Sequence, residues 1–183
     1  MEQLAAFGIG SAVIVWVSRG SLRHWRSHGF FRFVAWELIL LLFVLDAAVW
    51  FRDPLAPNQL VSWPLLVLCV APLALGIREL RRSGKPAAER PGDPSLLAFE
   101  KTTALVTTGI YAHIRHPLYS SLLILTWGIF FKAPSLFDFN VAVVASLALL
   151  ATALADEAEC LEFFGPPYRE YMERTKRFIP LVF

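Results

Sequence analysis

The sequence is poor in charge and in sulfur. Charged residues make up 17% of its 183 positions, against about 25% in ordinary soluble domains. Cysteine occurs twice, as Cys69 and Cys160. One lies inside an apolar run and the other beyond a different run, so no disulfide is expected between them. Their spacing matches no metal-binding motif, and no metal is expected. The first apolar run lacks the basic stretch that opens a secretory signal. Glu2 is its only early charge, so the run reads as a membrane span rather than a cleaved leader. Long repeats and low-complexity tracts are absent. So is a glycine-rich turn between strand and helix. Gly8-Ile9-Gly10 lies in an apolar run, and that context excludes a soluble Rossmann-type nucleotide site. The formal charge of +2 is modest, and no nucleic-acid partner is expected.

What remains is strongly apolar: 56% hydrophobic residues with a mean hydropathy of +0.54. The apolar residues are blocked into five runs, Leu4–Val17, Phe33–Phe51, Leu60–Ile77, Leu118–Phe131 and Phe139–Ala155. Blocking on that scale predicts an integral membrane protein. Charge is distributed unevenly between the runs. Arg19 to Arg32 follow the first, Arg78 to Arg115 lie between the third and fourth, and Arg169 to Arg177 follow the fifth. Alternate sides of a membrane then carry 15 and 2 of the 17 basic residues, with only Arg52 and Lys132 on the poorer side. The positive-inside rule places the N-terminus outside and the C-terminus in the cytoplasm. The expected fold is all-α, a polytopic membrane helix bundle of about five transmembrane helices with a C-terminal cytoplasmic helical cap. One domain spans 1–183. Residues 1–104 give three spans and a cytoplasmic loop, and 105–183 the candidate site, a hairpin and the tail.

The fourth run has 14 residues, fewer than the roughly 20 of a perpendicular span. Lys132-Ala133-Pro134-Ser135 reads as a tight turn, so the last two spans form an antiparallel hairpin. Ser83 to Ser95, rich in proline and glycine, reads as a mobile cytoplasmic loop. Trp16, Trp36, Trp50 and Trp63 lie near span ends and read as interfacial anchors. His24 and His28, in the first basic loop, are expected to meet solvent or headgroups.

Two constellations carry chemistry. The first is Gly109-Ile110-Tyr111-Ala112-His113-Ile114-Arg115-His116-Pro117-Leu118-Tyr119. Pro117 suits the first turn of a helix. Arg115 and His116 then sit at a helix N-terminus, whose free N–H groups and partial positive charge suit an anion. Gly109 permits a turn or close approach. Tyr111 and Tyr119 offer faces that can hold a cation. The second constellation runs from Asp156-Glu157 through Glu159 and Glu162 to Phe164-Gly165-Pro166-Pro167-Tyr168, with Tyr171 beyond. Helical spacing puts Asp156 and Glu159 on one face and Glu157 on another. Gly165-Pro166-Pro167 ends that helix, and Tyr168 and Tyr171 suggest a short helix capping the site. The hairpin brings the two constellations together.

These two segments resemble the isoprenylcysteine carboxyl methyltransferase and phospholipid methyltransferase superfamily of membrane enzymes. That family shows Arg-His-Pro-x-Tyr, a hydrophobic hairpin, paired acids, Phe-Gly, spaced tyrosines and a late proline. Here these are Arg115-His116-Pro117-Leu118-Tyr119, Asp156-Glu157, Phe164-Gly165, Tyr168, Tyr171 and Pro180. The likeness covers about Leu105 to Pro180. Asp156 stands where the family usually has Glu, and Ser121 where a glycine often occurs. No arginine lies within Ala151 to Ala155, where the carboxyl methyltransferases tend to carry one.

The resemblance implies S-adenosylmethionine as cofactor, bound by Tyr111, His113, Arg115, His116, Pro117, Tyr119, Asp156 and Glu157. Its carboxylate would meet Arg115, His116 and the helix N-terminus, its ammonium Asp156 or Glu157, its sulfonium Tyr111 or Tyr119. Arg115 and Glu157 are the candidate catalytic residues, with Glu157 a general base if the acceptor is an amine. Tyr168 and Tyr171 are candidate substrate contacts. The acceptor would be a lipophilic or prenylated molecule entering from the bilayer, whose lipids are the other partners. A phospholipid amine N-methyltransferase, an NADPH-dependent sterol-reductase-like enzyme and a non-enzymatic lipid-binding scaffold are the alternatives. The sequence leaves the oligomeric state open.

Overall fold

A computed structural model describes residues 1–85 and 101–180. The loop expected from Ser83 to Ser95, with Arg90, lies mostly outside them. Among the described residues the fold is all-α. Its helices are α1 (Glu2–Ser18), α2 (His28–Asp46), α3 (Pro57–Leu68), α4 (Val70–Ser83), α5 (Pro117–Phe130), α6 (Leu136–Phe164) and α7 (Pro166–Arg174). α3 and α4 are two parts of one run, Pro57–Ser83, interrupted at Cys69. Pro72 explains the interruption. It has no N–H for the Leu68 carbonyl, and its ring crowds that carbonyl.

Two of the described helices are long and apolar enough to cross a membrane by length and composition, Pro57–Ser83 and Leu136–Phe164. Two more apolar helices are shorter, Glu2–Ser18 and Pro117–Phe130. α2, which matches the remaining run, has 19 residues and carries Arg32, Glu37 and Asp46.

Local signals set the helix ends. Ser27 caps α2 by accepting the Phe30 N–H at 3.3 Å. Ser135 caps α6 by accepting the Asp138 N–H at 3.1 Å, and returns a hydroxyl donor to the Asp138 carboxylate. The hydroxyl thus serves as both acceptor and donor within one side-chain N-cap. α5 starts at Pro117: His116, the residue before it, lies outside the helical region (φ −123°, ψ 61°), since a proline ring disfavours helical backbone in its predecessor. Gly165 ends α6 at φ +65°, ψ −139°, a region nearly closed to side-chain-bearing residues. The chain turns there and continues as α7.

α2 packs along α6 and also against α1, and α5 lies between α6 and the α3–α4 run. α2 and α6 are antiparallel. Leu42 joins Ala142 and Ala145 in one apolar cluster, and Ala35 joins Leu149 and Ala153 in another. Alanines on both helices let them approach closely. At one end of the bundle the first turns of α3 close over the α5–α6 turn. Asn58 Nδ2 and Gln59 Nε2 donate to the Lys132 carbonyl at 3.0 and 3.2 Å, and Ser62 Oγ donates to the Gly128 carbonyl at 2.7 Å. Lys132 is buried there. Its ammonium donates to Gln59 Oε1 at 2.8 Å and lies over the Trp63 ring.

A Cβ at Gly165 would meet nothing within 4 Å, so any cost of substitution there is backbone strain. Gly165→Ala is expected to destabilise the protein by about 1–3 kcal/mol. A thermal unfolding midpoint equal to wild type in detergent would refute the turn assignment.

Candidate functional site

The other end of the bundle gathers three segments: the loop before α5, the last turns of α6, and the tail after α7. The loop is tied to α4. Thr108 and Ser83 both donate hydroxyl hydrogen bonds to the Glu79 carboxylate. Gly109 follows at φ +59°, and a Cβ there would lie 2.8 Å from Glu79 Oε2. Positive φ and close approach together demand glycine. A single 3-10 turn, Gly109–Ala112, then leads to the α5 N-terminus.

The tail lies beside this loop. Ile114 and Lys176 form an isolated parallel bridge. Arg115 N–H donates to the Lys176 carbonyl at 2.8 Å and His116 N–H to the Arg177 carbonyl at 3.1 Å. Ser120 Oγ donates to the Phe178 carbonyl at 3.0 Å, and the Tyr171 hydroxyl to the Tyr111 carbonyl at 2.7 Å.

Glu157 sits where the three segments meet. Its carboxylate accepts from Arg115 Nε at 2.9 Å, Arg177 Nη2 at 3.0 Å and His116 Nε2 at 3.3 Å. Its side chain is 5% exposed. Arg115 also donates from Nη1 to the Met172 carbonyl at 3.1 Å and to Thr175. Asp156, one residue earlier, faces the other nitrogen of the same ring: His116 Nδ1 lies 3.4 Å from Asp156 Oδ2. A histidine with a carboxylate at each nitrogen can satisfy both only as the doubly protonated cation. Burial alone would lower the His116 pKa. The hydrogen bonds and charges of Asp156 and Glu157 more than reverse that and raise it above 6.5.

Beside this cluster lies a cavity with an empty volume of about 710 Å³, including its open mouth. Tyr111, Arg115, His116, Pro117, Tyr119, Asp156, Tyr168 and Tyr171, all named from sequence, line it. Leu80, Leu105, Val106, Leu118 and Phe164 make the rest of its wall largely apolar. Tyr119 stacks on His116 with centroids 5.3 Å apart, and Tyr168 stacks on Phe164 at 6.4 Å. Burial pushes the Tyr168 and Tyr171 hydroxyls well above the ordinary phenol range, so both stay neutral.

Two named residues lie off the wall. Glu157 is behind it, in the ion cluster. His113 is exposed, and its carbonyl accepts the Lys176 N–H at 3.2 Å.

Several participants carry only a weak signal in the sequence. His28, expected to meet solvent or headgroups, is fully buried. Its N–H donates to Glu159 Oε1 at 2.9 Å, and its Nδ1 contacts the second oxygen. Arg32 is 4% exposed on α2, its guanidinium over the Trp36 ring at 5.1 Å. Arg177 looked like one more basic tail residue. The only available signal for these was capping: Ser27 marks a helix start that carries His28 and Arg32 inward. His28, Asp156 and Glu159 have ligand atoms within 4.8 Å of one another and could hold a cation.

Over 86 residues the chain is 34% identical to the protein-S-isoprenylcysteine O-methyltransferase of Schizosaccharomyces pombe. The chain is similar to an isoprenylcysteine methyltransferase. The match covers 45% of this chain and 35% of that protein, so the chain spans about a third of its relative. No protein-family model matches the chain, and no solved structure matches it significantly.

Two outcomes are expected. Glu157→Ala leaves buried cations without their counter-charge and costs about 3–5 kcal/mol; Asp156→Ala costs less. Equal unfolding midpoints for the two variants would contradict this. The raised His116 pKa contributes stability that is fully present below pH 6.5 and is lost as pH rises through the higher folded value. Wild type therefore loses stability as pH rises above 6.5, and His116→Gln loses less. Identical pH slopes in thermal unfolding would rule out the linkage.

Proposed function

We propose that this chain is an S-adenosylmethionine-dependent membrane methyltransferase of the isoprenylcysteine carboxyl methyltransferase type. It acts on a lipophilic acceptor at the cytoplasmic face of a five-span bundle. α1, α2, the α3–α4 run, α5 and α6 are the spans, and the Glu157 end faces the cytoplasm. One observation carries the reading. The cavity presents cationic His116, anionic Asp156 and tyrosine rings on one wall, and the similarity to a methyltransferase fits that wall chemistry.

The residues suit the cofactor. It is a zwitterionic amino acid joined through a sulfonium to a flat base. His116 and the N-terminal first turn of α5 suit its carboxylate. Pro117 has no N–H to add. Asp156 suits its ammonium. Arg115 lines the cavity, but Glu157 and the Thr175 region already hold its guanidinium. Arg115 and Glu157 are therefore assigned to positioning: they fix His116 and the tail. The aromatic faces of Tyr119, Tyr111 and Tyr168 suit the sulfonium and the base. When bound, the cofactor supplies an electrophilic methyl group. The protein aligns the acceptor with it and keeps water out. The apolar wall, with Leu105 and Leu118, suits a lipid-borne acceptor. A thiolate or carboxylate acceptor needs no base.

The test is calorimetric titration in detergent with S-adenosylhomocysteine, and with NADPH for the reductase alternative. S-adenosylhomocysteine is expected to bind, and NADPH is not. His116→Ala and Asp156→Asn should each weaken binding at least tenfold. Unchanged affinity in both variants, or binding of NADPH alone, would sink the assignment. Labelled methyl transfer into membrane extracts then identifies the acceptor.

A further inference from the structure

α4 has two unlike faces. Pro72 and Gly76 are buried, and Gly76 faces α5: a Cβ there would lie 2.8 Å from Leu118 Cδ1 and 3.1 Å from Pro117 Cγ. Glu79 and Ser83 continue that face toward the Gly109 loop. The opposite face carries a shallow surface groove lined by Val70, Leu73, Ile77, Arg78, Arg81 and Arg82. At i, i+3, i+4 spacing these positions form one stripe. Val70 is 56% exposed and Leu73 40% exposed. All three arginines are exposed, and among the described residues none is in an ion pair. The stripe thus divides along its length: about 10 Å of open apolar surface, then three guanidinium groups in just over one turn.

We propose that this stripe binds one anionic phospholipid, acyl chain along Val70, Leu73 and Ile77, phosphate on Arg78, Arg81 and Arg82. Charge complementarity selects the occupant. Guanidinium groups form paired hydrogen bonds to phosphate oxygens, and they begin where the apolar surface stops, as headgroup follows chain in a lipid. A soluble anion would leave the apolar half uncovered, and a zwitterionic lipid offers its phosphate beside a competing cation. The proposal rests on the membrane reading and not on methyl transfer. The bound lipid would brace the outer side of the helix that holds the Gly109 loop.

Native mass spectrometry of the full chain in detergent tests it, with phosphatidylglycerol and phosphatidylcholine added at equal concentration. Wild type is expected to retain phosphatidylglycerol at least threefold better. R78Q/R81Q/R82Q should abolish that preference. R23Q/R26Q/R169Q removes the same charge from exposed sites elsewhere and should keep it. Leu73→Asn should lower retention with all arginines in place. Preference surviving the first triple variant, or falling equally in the second, would overturn the site. So would Leu73→Asn retaining lipid as wild type does. S-adenosylhomocysteine titration of the same samples separates this result from any failure of the methyltransferase reading.

Discussion

Glu157 is the fixed point of the molecule. Two guanidinium groups and an imidazole converge on one carboxylate that is almost removed from solvent. Taking such groups out of water is costly, and the arrangement holds only while every member stays in place. Arg115 and His116 stand before α5, Arg177 follows α7, and Glu157 lies on α6. The carboxylate therefore joins three segments far apart in sequence. The backbone bonds of Arg115 and His116 to the tail extend the same junction. Tyr168 and Tyr171 reach the cavity wall because that junction brings α7 back over the loop.

Consecutive residues on a helix point about 100° apart, and Asp156 and Glu157 use that angle. Glu157 turns to the tail and is enclosed. Asp156 turns to the cavity and keeps a 22% exposed side chain. His116 lies between them, one nitrogen toward each. A pair of acids that looks redundant in sequence thus separates into a positioning group and a group on the cavity wall, and the histidine transmits the position of one to the other.

The helices were legible because their signals are local. Apolar runs gave α1 and α5 to within two residues and overlap α2, the α3–α4 run and α6 with ends off by three to nine residues, Pro117 marked the start of α5, and Gly165-Pro166-Pro167 marked the end of α6. Pro72, visible in the third run, accounts for the break at Cys69. The candidate site was legible only in part. Arg115, His116, Asp156 and the tyrosines stand out because they cluster in sequence. His28, Arg32 and Arg177 do not, since each is one of several basic residues in its segment. Burial of His28 and Arg32 depends on α2 lying antiparallel to α6, and the half-buried place of Arg177 beside Glu157 on the tail returning beside Ile114. Lys132 is the same case: an ordinary turn lysine in sequence, enclosed by Gln59 and Trp63 in the fold. Long-range packing selects which cations go inside, and no local pattern records that selection.

The distribution of polarity bears on the environment this fold suits. Lys132, His28, Arg32, Glu157 and Thr152 are buried, while Leu4, Ile9, Val13 and Trp16 on α1, Val67 and Leu68 on α3, and Leu147 on α6 stand more than half exposed. Soluble monomers rarely leave apolar patches of more than a few hundred Å² open to water. A chain in water would gain by covering such side chains, whereas in a bilayer they already meet a matching solvent. Polar groups must then be satisfied within the bundle, as Ser62 is on the Gly128 carbonyl and Glu37 by the Ser11 hydroxyl. The same requirement accounts for the concentration of charge at the Glu157 end. There the apolar stretch of α6 stops at Ala155, and ionised side chains can pair with one another beside a cavity that opens to solvent.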